Sequence, residues 1–359
     1  MKKRLLALLI VAVLVFGLVA CANNNEPAPS PEPTPAETPA DPTPAEPTEL
    51  SDDPVVRLVY AEVNPLDTTV GQVATTFRDK VYELSGGTVL IDVQASGVLG
   101  SEEHVLDDMI GGLGTIQMAR ISAFALNPRG AEMSRLLGIP FAFESREHFW
   151  NFATSDLANE FLQESLDLGL NIRGLFYGEE GFRHFFTRDP IAGIEDLAGM
   201  QLRVSTDPVM VGLVEGIGAN AVVVPFTELY SALQTGVVDG AEQPITNYEA
   251  NAFPEVAPYL ILNGHTLGVI QIIILEDVWQ NELTENQRNA ITEAIAYVQA
   301  FNQRLAEEAD QASLERMRGA GVTIVDVPDL APWVEAVSDV VAENAAALPE
   351  LFEQIRSMR

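Results

Sequence analysis

A helical pattern near the carboxyl end of the chain is too long for one compact lobe. Thr284-Glu285-Asn286-Gln287 reads as a capping box, with a hydroxyl at the cap and an amide three residues later. Ile291, Ile295, Val298, Phe301, Leu305 and Ala309 follow at spacings of three and four, and the pattern runs to Met317 before Gly319 and Gly321. A helix over residues 284–318 would be about 50 Å long at about 1.5 Å per residue. A small domain is only about 30 Å across. The helix is therefore expected to span two lobes, and 359 residues are enough to build both.

The rest of the chain alternates between strand and helix. Val55-Val56-Arg57-Leu58-Val59-Tyr60 is rich in β-branched residues and predicts a strand. Residues 70–84 carry Val70, Val73, Ala74, Phe77, Val81 and Leu84 at helical spacing, and Ser85-Gly86-Gly87 stops them. Residues 88–93 predict the next strand, 104–110 a helix and 115–118 a third strand. The rhythm returns with strands at 171–177, 200–205 and 221–224, and helices at 208–217 and 227–234. Met200, Leu202 and Val204 share one face of their strand, while Gln201, Arg203 and Ser205 share the other. Thr227 is the expected N-cap of the last helix and Gly236 its C′ residue. This pattern predicts an α/β fold with parallel strand pairing and helices on both faces. Two such units joined by strands leave a cleft, and in open α/β sheets ligands bind at the carboxyl ends of the strands.

The chain begins differently. Lys2-Lys3-Arg4 precedes an apolar run over residues 5–20, shorter than the ~20 residues a spanning helix usually needs. Leu18-Val19-Ala20-Cys21 follows and resembles a lipobox, the signal for lipoprotein processing. The expectation is a signal peptide over 1–20, cleavage before Cys21, lipidation of its thiol and an extracytoplasmic, lipid-anchored protein. Nine prolines then fall between Pro27 and Pro47, with six acids and no base over residues 22–50. Residues 21–53 cannot bury a core and read as an extended tether.

Charge excludes some partners. Lys+Arg is 20 against Asp+Glu 52, a net −32, and Lys2, Lys3 and Arg4 are lost with the signal peptide. A surface this acidic argues against nucleic acid and against anionic lipid headgroups. Cys21 is the one cysteine, so no intramolecular disulfide forms. No pair of His104, His148, His184 and His265 has the spacing of a helical zinc site, so no metal or cofactor is expected. No P-loop and no Gly-x-Ser-x-Gly elbow occur. Gly216-Ile217-Gly218-Ala219-Asn220-Ala221 matches the loose dinucleotide fingerprint, but it follows a helix and precedes a strand, the wrong order. Nothing points to an enzyme.

Two blocks carry a family resemblance. Ile194-Glu195-Asp196-Leu197-Ala198-Gly199-Met200-Gln201-Leu202-Arg203-Val204 is one. Gly218-Ala219 with Pro225-Phe226-Thr227-Glu228-Leu229-Tyr230-Ser231-Ala232-Leu233-Gln234-Thr235-Gly236-Val237-Val238-Asp239-Gly240-Ala241-Glu242 is the other. Weaker echoes lie at Gly97-Val98-Leu99-Gly100, Met118-Ala119-Arg120, Gly138-Ile139-Pro140-Phe141 and Gly181-Phe182-Arg183. Over roughly residues 55–345 the chain resembles the DctP-type solute-binding subunits of tripartite ATP-independent periplasmic (TRAP) transporters. The resemblance implies a two-lobed, periplasmic-binding-protein-like architecture whose lobes close on an organic acid. The ligand passes to the small and large membrane permease subunits, driven by an ion gradient. The alternatives are presentation of the ligand to a sensor kinase or chemoreceptor and, less favoured, an extracytoplasmic enzyme. Lobe I is expected over 54–180 plus about 269–308, and lobe II over 181–268 plus about 309–359.

The family's ligand-gripping arginine matches Arg203. A guanidinium offers a rigid fork that fits a carboxylate bidentately and keeps its charge when desolvated. Arg183 matches a second arginine that assists, the competing reading being a salt bridge to Glu179 or Glu180. Phe226 matches an aromatic position that packs on the ligand. Arg120 can reach the cleft from the first lobe, and Asn64 and Glu62 are placed where a loop meets ligand hydroxyls. Gln243 departs from the family's usual asparagine by one methylene. Tyr248 and His265 are rim candidates, with a core or surface position favoured for both. Two or three cleft arginines fit a dicarboxylate, or one carboxylate plus hydroxyls as in a sugar acid.

The acids are unevenly spread. Residues 120–203 hold eight bases against 12 acids, and 204–287 hold no lysine or arginine. Attraction for an anion is thus local, while the distant field, screened beyond ~8 Å at physiological salt, repels it. Stopped-flow association of a carboxylate ligand is expected to speed up with added salt; a rate that falls would contradict this distribution.

Overall fold

The computed structural model describes residues 52–359. The expected signal peptide, Cys21 and nearly all of the tether lie outside the described residues. Nine strands form one sheet: β1 (Val56–Ala61), β2 (Val89–Gln94), β3 (Met118–Ser122), β4 (Ile172–Thr187), β5 (Gln201–Val204), β6 (Asn220–Val223), β7 (Gly240–Pro244), β8 (Tyr259–Leu275) and β9 (Thr323–Asp326). Their order is β2-β1-β3-β8-β4-β7-β5-β6, with β9 beside β8.

The expected parallel units occur at both ends. β1 pairs in parallel with β2 and β3, and β5 with β6 and β7. Between them run β4 and β8, of 16 and 17 residues, antiparallel to each other. β3 joins one end of this pair and β7 the other, both antiparallel. The sheet thus has two parallel halves hung on one pair of crossing strands, the mixed α/β, two-lobed arrangement expected.

The long helix is Glu285–Ala320. Thr284 Oγ1 accepts the Gln287 N–H, and the Gln287 side chain accepts the Thr284 N–H, closing the capping box. Gly321 ends the helix at φ 88, a left-handed value that glycine adopts without cost. Ile291, Ala294 and Val298 join the core around β1–β3, whereas Met317 joins the core around β7 and helix Leu229–Thr235. One helix thus contributes to both halves.

Some sequence expectations need correction. The third strand begins at Met118 instead of 115, because Gly112 and Gly114 hold left-handed turns and Thr115 bonds back to Asp108 at 2.5 Å. Thr227 is not an N-cap. Residues Phe226–Glu228 form a 3₁₀ turn and the helix starts at Leu229, with Gly236 (φ 76) at its end as expected. β8 went unread since it is buried on both faces and lacks polar alternation. β4 extends ten residues past its expected end at 177, through the polar stretch Gly178-Glu179-Glu180-Gly181.

Removing the helix cap tests the role of the long helix. Thr284→Ala is expected to cost about 1 kcal/mol, read as a lower urea midpoint with an unchanged m-value. No shift in midpoint would show that the helix end is held by packing alone.

Candidate functional site

Arginines from three strands converge where the irregular middle of β4 meets the carboxyl-end halves of β3 and β5. Arg120 on β3, Arg183 on β4 and Arg203 on β5 are each 5% exposed or less. They line a cavity of about 50 Å³ together with Val63, Asn64, Glu102, Ser122, Phe124, Glu180, Ser205, Phe226, Gln243 and Asn247. Six of the seven expected ligand residues therefore meet in one place. Glu62 does not line the cavity and sits behind Arg120.

Two of the arginines are fully engaged. Arg120 Nε donates to Glu62 Oε2 at 3.0 Å and its Nη2 donates to Glu62 Oε1. Asn64 binds the same carboxylate through its backbone N–H (2.9 Å) and its side-chain amide (3.3 Å). Arg183 is gripped by Glu242, Nε to Oε2 at 2.5 Å and Nη2 to Oε1 at 2.9 Å, and its Nη1 donates to Glu180 at 3.0 Å. Burial works most strongly against the Arg183 charge, but Glu242 with Glu180 and Glu102 together outweigh it and the pKa ends above its usual value. Burial likewise opposes the Glu242 charge, and Arg183 with the His265 hydrogen bond drives its pKa down to about 2.

Arg203 differs. Its Nε donates to the Val224 carbonyl at 2.7 Å, and its two terminal nitrogens have no protein acceptor. Its guanidinium lies 5.9 Å from the centre of the Phe226 ring, a cation–π distance. Burial lowers its pKa to about 10, with Glu242 countering only partly. A desolvated cation with free donors in a cavity is arranged to take an anion.

The competing reading for Arg183 is partly realised. Glu180 is its partner, but the pair is buried and borders the cavity. Glu179 points the other way, to Arg146 and to Trp150 Nε1 at 2.8 Å. Gln243 lines the cavity with no protein partner for its amide. Tyr248 and His265 take the favoured core position instead of the rim. The Tyr248 hydroxyl donates to the Ala257 carbonyl at 2.7 Å, and His265 stacks on Phe185 at 4.6 Å behind Glu242. Glu102, Ser122, Ser205 and Asn247 were missed. Glu102 and Asn247 stand on short helices and Ser122 ends β3, where no motif marks them, whereas the alternation that put Ser205 on the face of Arg203 could have found it.

Bonds between the halves lie beside the cavity, among them Asn251 Nδ2 donating to Asn64 Oδ1 at 3.3 Å. Thr206 Oγ1 donates to Glu103 at 2.7 Å, and Asn127 Nδ2 donates to buried Asp207 at 2.8 Å. Larger grooves exist, one of about 690 Å³, but its arginine, Arg316, is a surface residue already paired with Glu249. Among the described residues no acid, histidine or cysteine cluster could hold a metal, and no helix is long and apolar enough to cross a membrane.

The family model for bacterial extracellular solute-binding protein, family 7 (DctP), matches residues 60–347. The chain belongs to this family. It is 29% identical over 273 residues to a solute-binding protein of Roseobacter denitrificans, covering 76% of this chain and 82% of that one. It is 26% identical over 296 residues to the C4-dicarboxylate-binding periplasmic protein DctP of Rhodobacter capsulatus, covering 82% and 87%. Among solved structures it is similar to a TRAP periplasmic solute-binding protein of Pseudomonas putida F1 with bound D-glucuronate. That match has a TM-score of 0.79 and 27% identity, over 84% of this chain and 96% of that one. The sugar-acid-binding protein DctPAm of Advenella mimigardefordensis with galactonate gives a TM-score of 0.80 and 25% identity, over 86% and 98%.

The Arg183–Glu242 pair sets a pH dependence. Glu242 has a folded pKa of about 2, below its ordinary value of 4.5, so its stabilisation is present above pH ~4.5 and is lost as pH falls toward 2. Acid unfolding followed by circular dichroism is expected to show this loss. Glu242→Gln is expected to flatten it and to lower stability at pH 7 by about 3–5 kcal/mol, because Arg183 is left without its main partner. An unaltered acid limb in that variant would refute the assignment.

Proposed function

We propose that this protein is an extracytoplasmic receptor that captures an organic acid between its two lobes and delivers it to an ion-gradient-driven TRAP permease. The observation that carries the reading is the free guanidinium of Arg203. Its neighbours Arg120 and Arg183 have carboxylates across their forks, so the ligand carboxylate has one open cationic seat. Phe226 packs beside that seat, and Gln243 supplies an amide in the place where the family's asparagine is expected. Asn64, Ser122, Ser205 and Asn247 offer small polar groups for hydroxyls. Arg120 and Arg183 act by keeping their carboxylates in position and by reducing the negative field. Glu62 acts only through Arg120.

Support comes from the relatives' ligands. D-glucuronate and galactonate occupy the solved relatives described above, and D-erythronate occupies another, from Polaromonas sp. JS666. Each is a carboxylate with hydroxyls, so a sugar acid is the preferred ligand here. In this reading lobe I comprises 54–180 plus about 269–308, and lobe II comprises 181–268 plus about 309–359. The lobes close about β4, β8 and the long helix. Lipidation at Cys21 anchors the receptor to the cell membrane, at its outer face or on the periplasmic side, with residues 21–53 as the tether.

An unpaired buried cation costs stability until its ligand arrives, and this makes a two-sided test. Arg203→Met is expected to leave the unliganded protein as stable as wild type or more so. It should also weaken sugar-acid binding at least about 100-fold, the loss of two charge-assisted hydrogen bonds. Calorimetry and thermal shift read both effects. Undiminished affinity in Arg203→Met would overturn the reading.

A further inference from the structure

A second charged group in the cavity wall is only half used. Glu102 stands in the first turn of helix Glu102–Ile110, and one-fifth of its side chain remains exposed where it borders the cavity. Its Oε1 accepts the Ser122 N–H at 2.6 Å and faces Arg120 Nη1 at 3.5 Å. Its Oε2 has no protein donor. The other acids here are spent: Glu62 on Arg120, Glu242 on Arg183, and Glu180 on Arg183 and Asn247. Because Asn247 Nδ2 donates to Glu180 at 2.8 Å, its Oδ1 is left as a buried acceptor without a donor. The cavity therefore offers the free guanidinium of Arg203 and two acceptors without a donor, Glu102 Oε2 and Asn247 Oδ1, beside the Gln243 amide, which can both donate and accept.

We propose that Glu102 is a specificity-determining residue, which admits acids with one carboxylate and a chain of hydroxyls and rejects those with a second carboxylate. The proposal rests on the receptor reading above and names its ligand class. A hydroxyl can donate to Glu102 Oε2 or Asn247 Oδ1. A second carboxylate has nothing to donate, and no open guanidinium would neutralise it, because the forks of Arg120 and Arg183 are filled. It would meet Glu102 in a site with little water, where like charges repel strongly.

The charge on Glu102 depends on pH within the ordinary range. Burial raises its pKa to about 7, with Arg120 and the Ser122 N–H pulling down and Glu180 and Glu62 pushing up. Arg183 and Arg203 also feel its charge from β4 and β5. Above pH 7 Glu102 is ionised and repels a second carboxylate. Below pH 7 it is protonated, can donate a hydrogen bond, and the rejection relaxes.

Matched acids test this directly. D-galactonate and galactarate share a skeleton and differ by one terminal carboxylate, as do D-glucuronate and D-glucarate, and D-erythronate and meso-tartrate. Calorimetry on the wild-type chain at pH 8 is expected to show, for each pair that binds, the monocarboxylate favoured about 100-fold or more. That ratio should shrink at least about tenfold in Glu102→Gln, and also in wild type at pH 6. The wild-type pH comparison keeps the question open to measurement even if the variant fails to fold. A ratio unchanged by both changes, or a diacid bound as tightly as its partner at pH 8, overturns the role of Glu102. Binding that vanishes in Arg203→Met in the same experiment leaves the receptor reading standing. Binding of none of the six acids by wild type counts against the receptor reading and removes the basis of this one.

Discussion

The pairing of β4 with β8 is the constraint on which the rest of the molecule depends. These two strands, antiparallel over nearly their whole length, are the central link between the parallel halves of the sheet. Their register shifts at Gly174/Phe176, Glu179/Phe182 and Arg183/Phe185. The middle shift contains Gly181 at φ 100, where an added Cβ would come 2.8 Å from Asp310 on the long helix. Only glycine suits both the conformation and the space. Glu180 and Arg183 flank this irregularity and face the cavity, while Glu179 faces Arg146. The bend in the crossing strands and the wall of the site are thus the same residues.

Buried charge is arranged in graded fashion around that bend. Arg120 and Arg183 are neutralised bidentately, the geometry in which burial of an ion pair is best compensated. Arg203 is not, and it alone among the three has its pKa lowered. The contrast separates structure from function within one cluster. A paired arginine holds strands together whether or not a ligand is present. An unpaired one stores an unfavourable desolvation that only an incoming anion relieves.

Much of this could be read in the chain, for physical reasons that can be named. The long helix was legible because its cap residues and its apolar spacing agree, and Thr284, Gln287 and Gly321 do what their chemistry dictates. Arg203 was legible as a polar residue between Leu202 and Val204 on a short strand, sharpened by its family motif. β8 was not legible, since a strand covered on both faces loses the period-2 signal that marks half-buried strands. The polar run Gly178-Glu179-Glu180-Gly181 looks like a turn, but pairing with β8 and the distant partners Arg146, Asn302 and Asn247 keep it in the sheet. Glu102 carried no signal at all. Its importance comes from Arg120 and Ser122, some twenty residues away, and from what its second oxygen lacks.

The strong acidity of the chain and the proposed binding of an anion in its cavity are compatible because the neutralisation is local. In the cavity wall and the layer just behind it, Arg120, Arg183 and Arg203 face Glu62, Glu102, Glu180 and Glu242. With Glu102 protonated the set is neutral, and with Glu102 ionised it carries one excess negative charge. A monocarboxylate seated on Arg203 needs only that one guanidinium, so it tolerates either state. A dicarboxylate would need a second cation that every other arginine in the wall has already given to a glutamate. The proposed selectivity for the number of carboxylates therefore rests on how many guanidinium forks the fold leaves unfilled, and not on the sign of the protein as a whole.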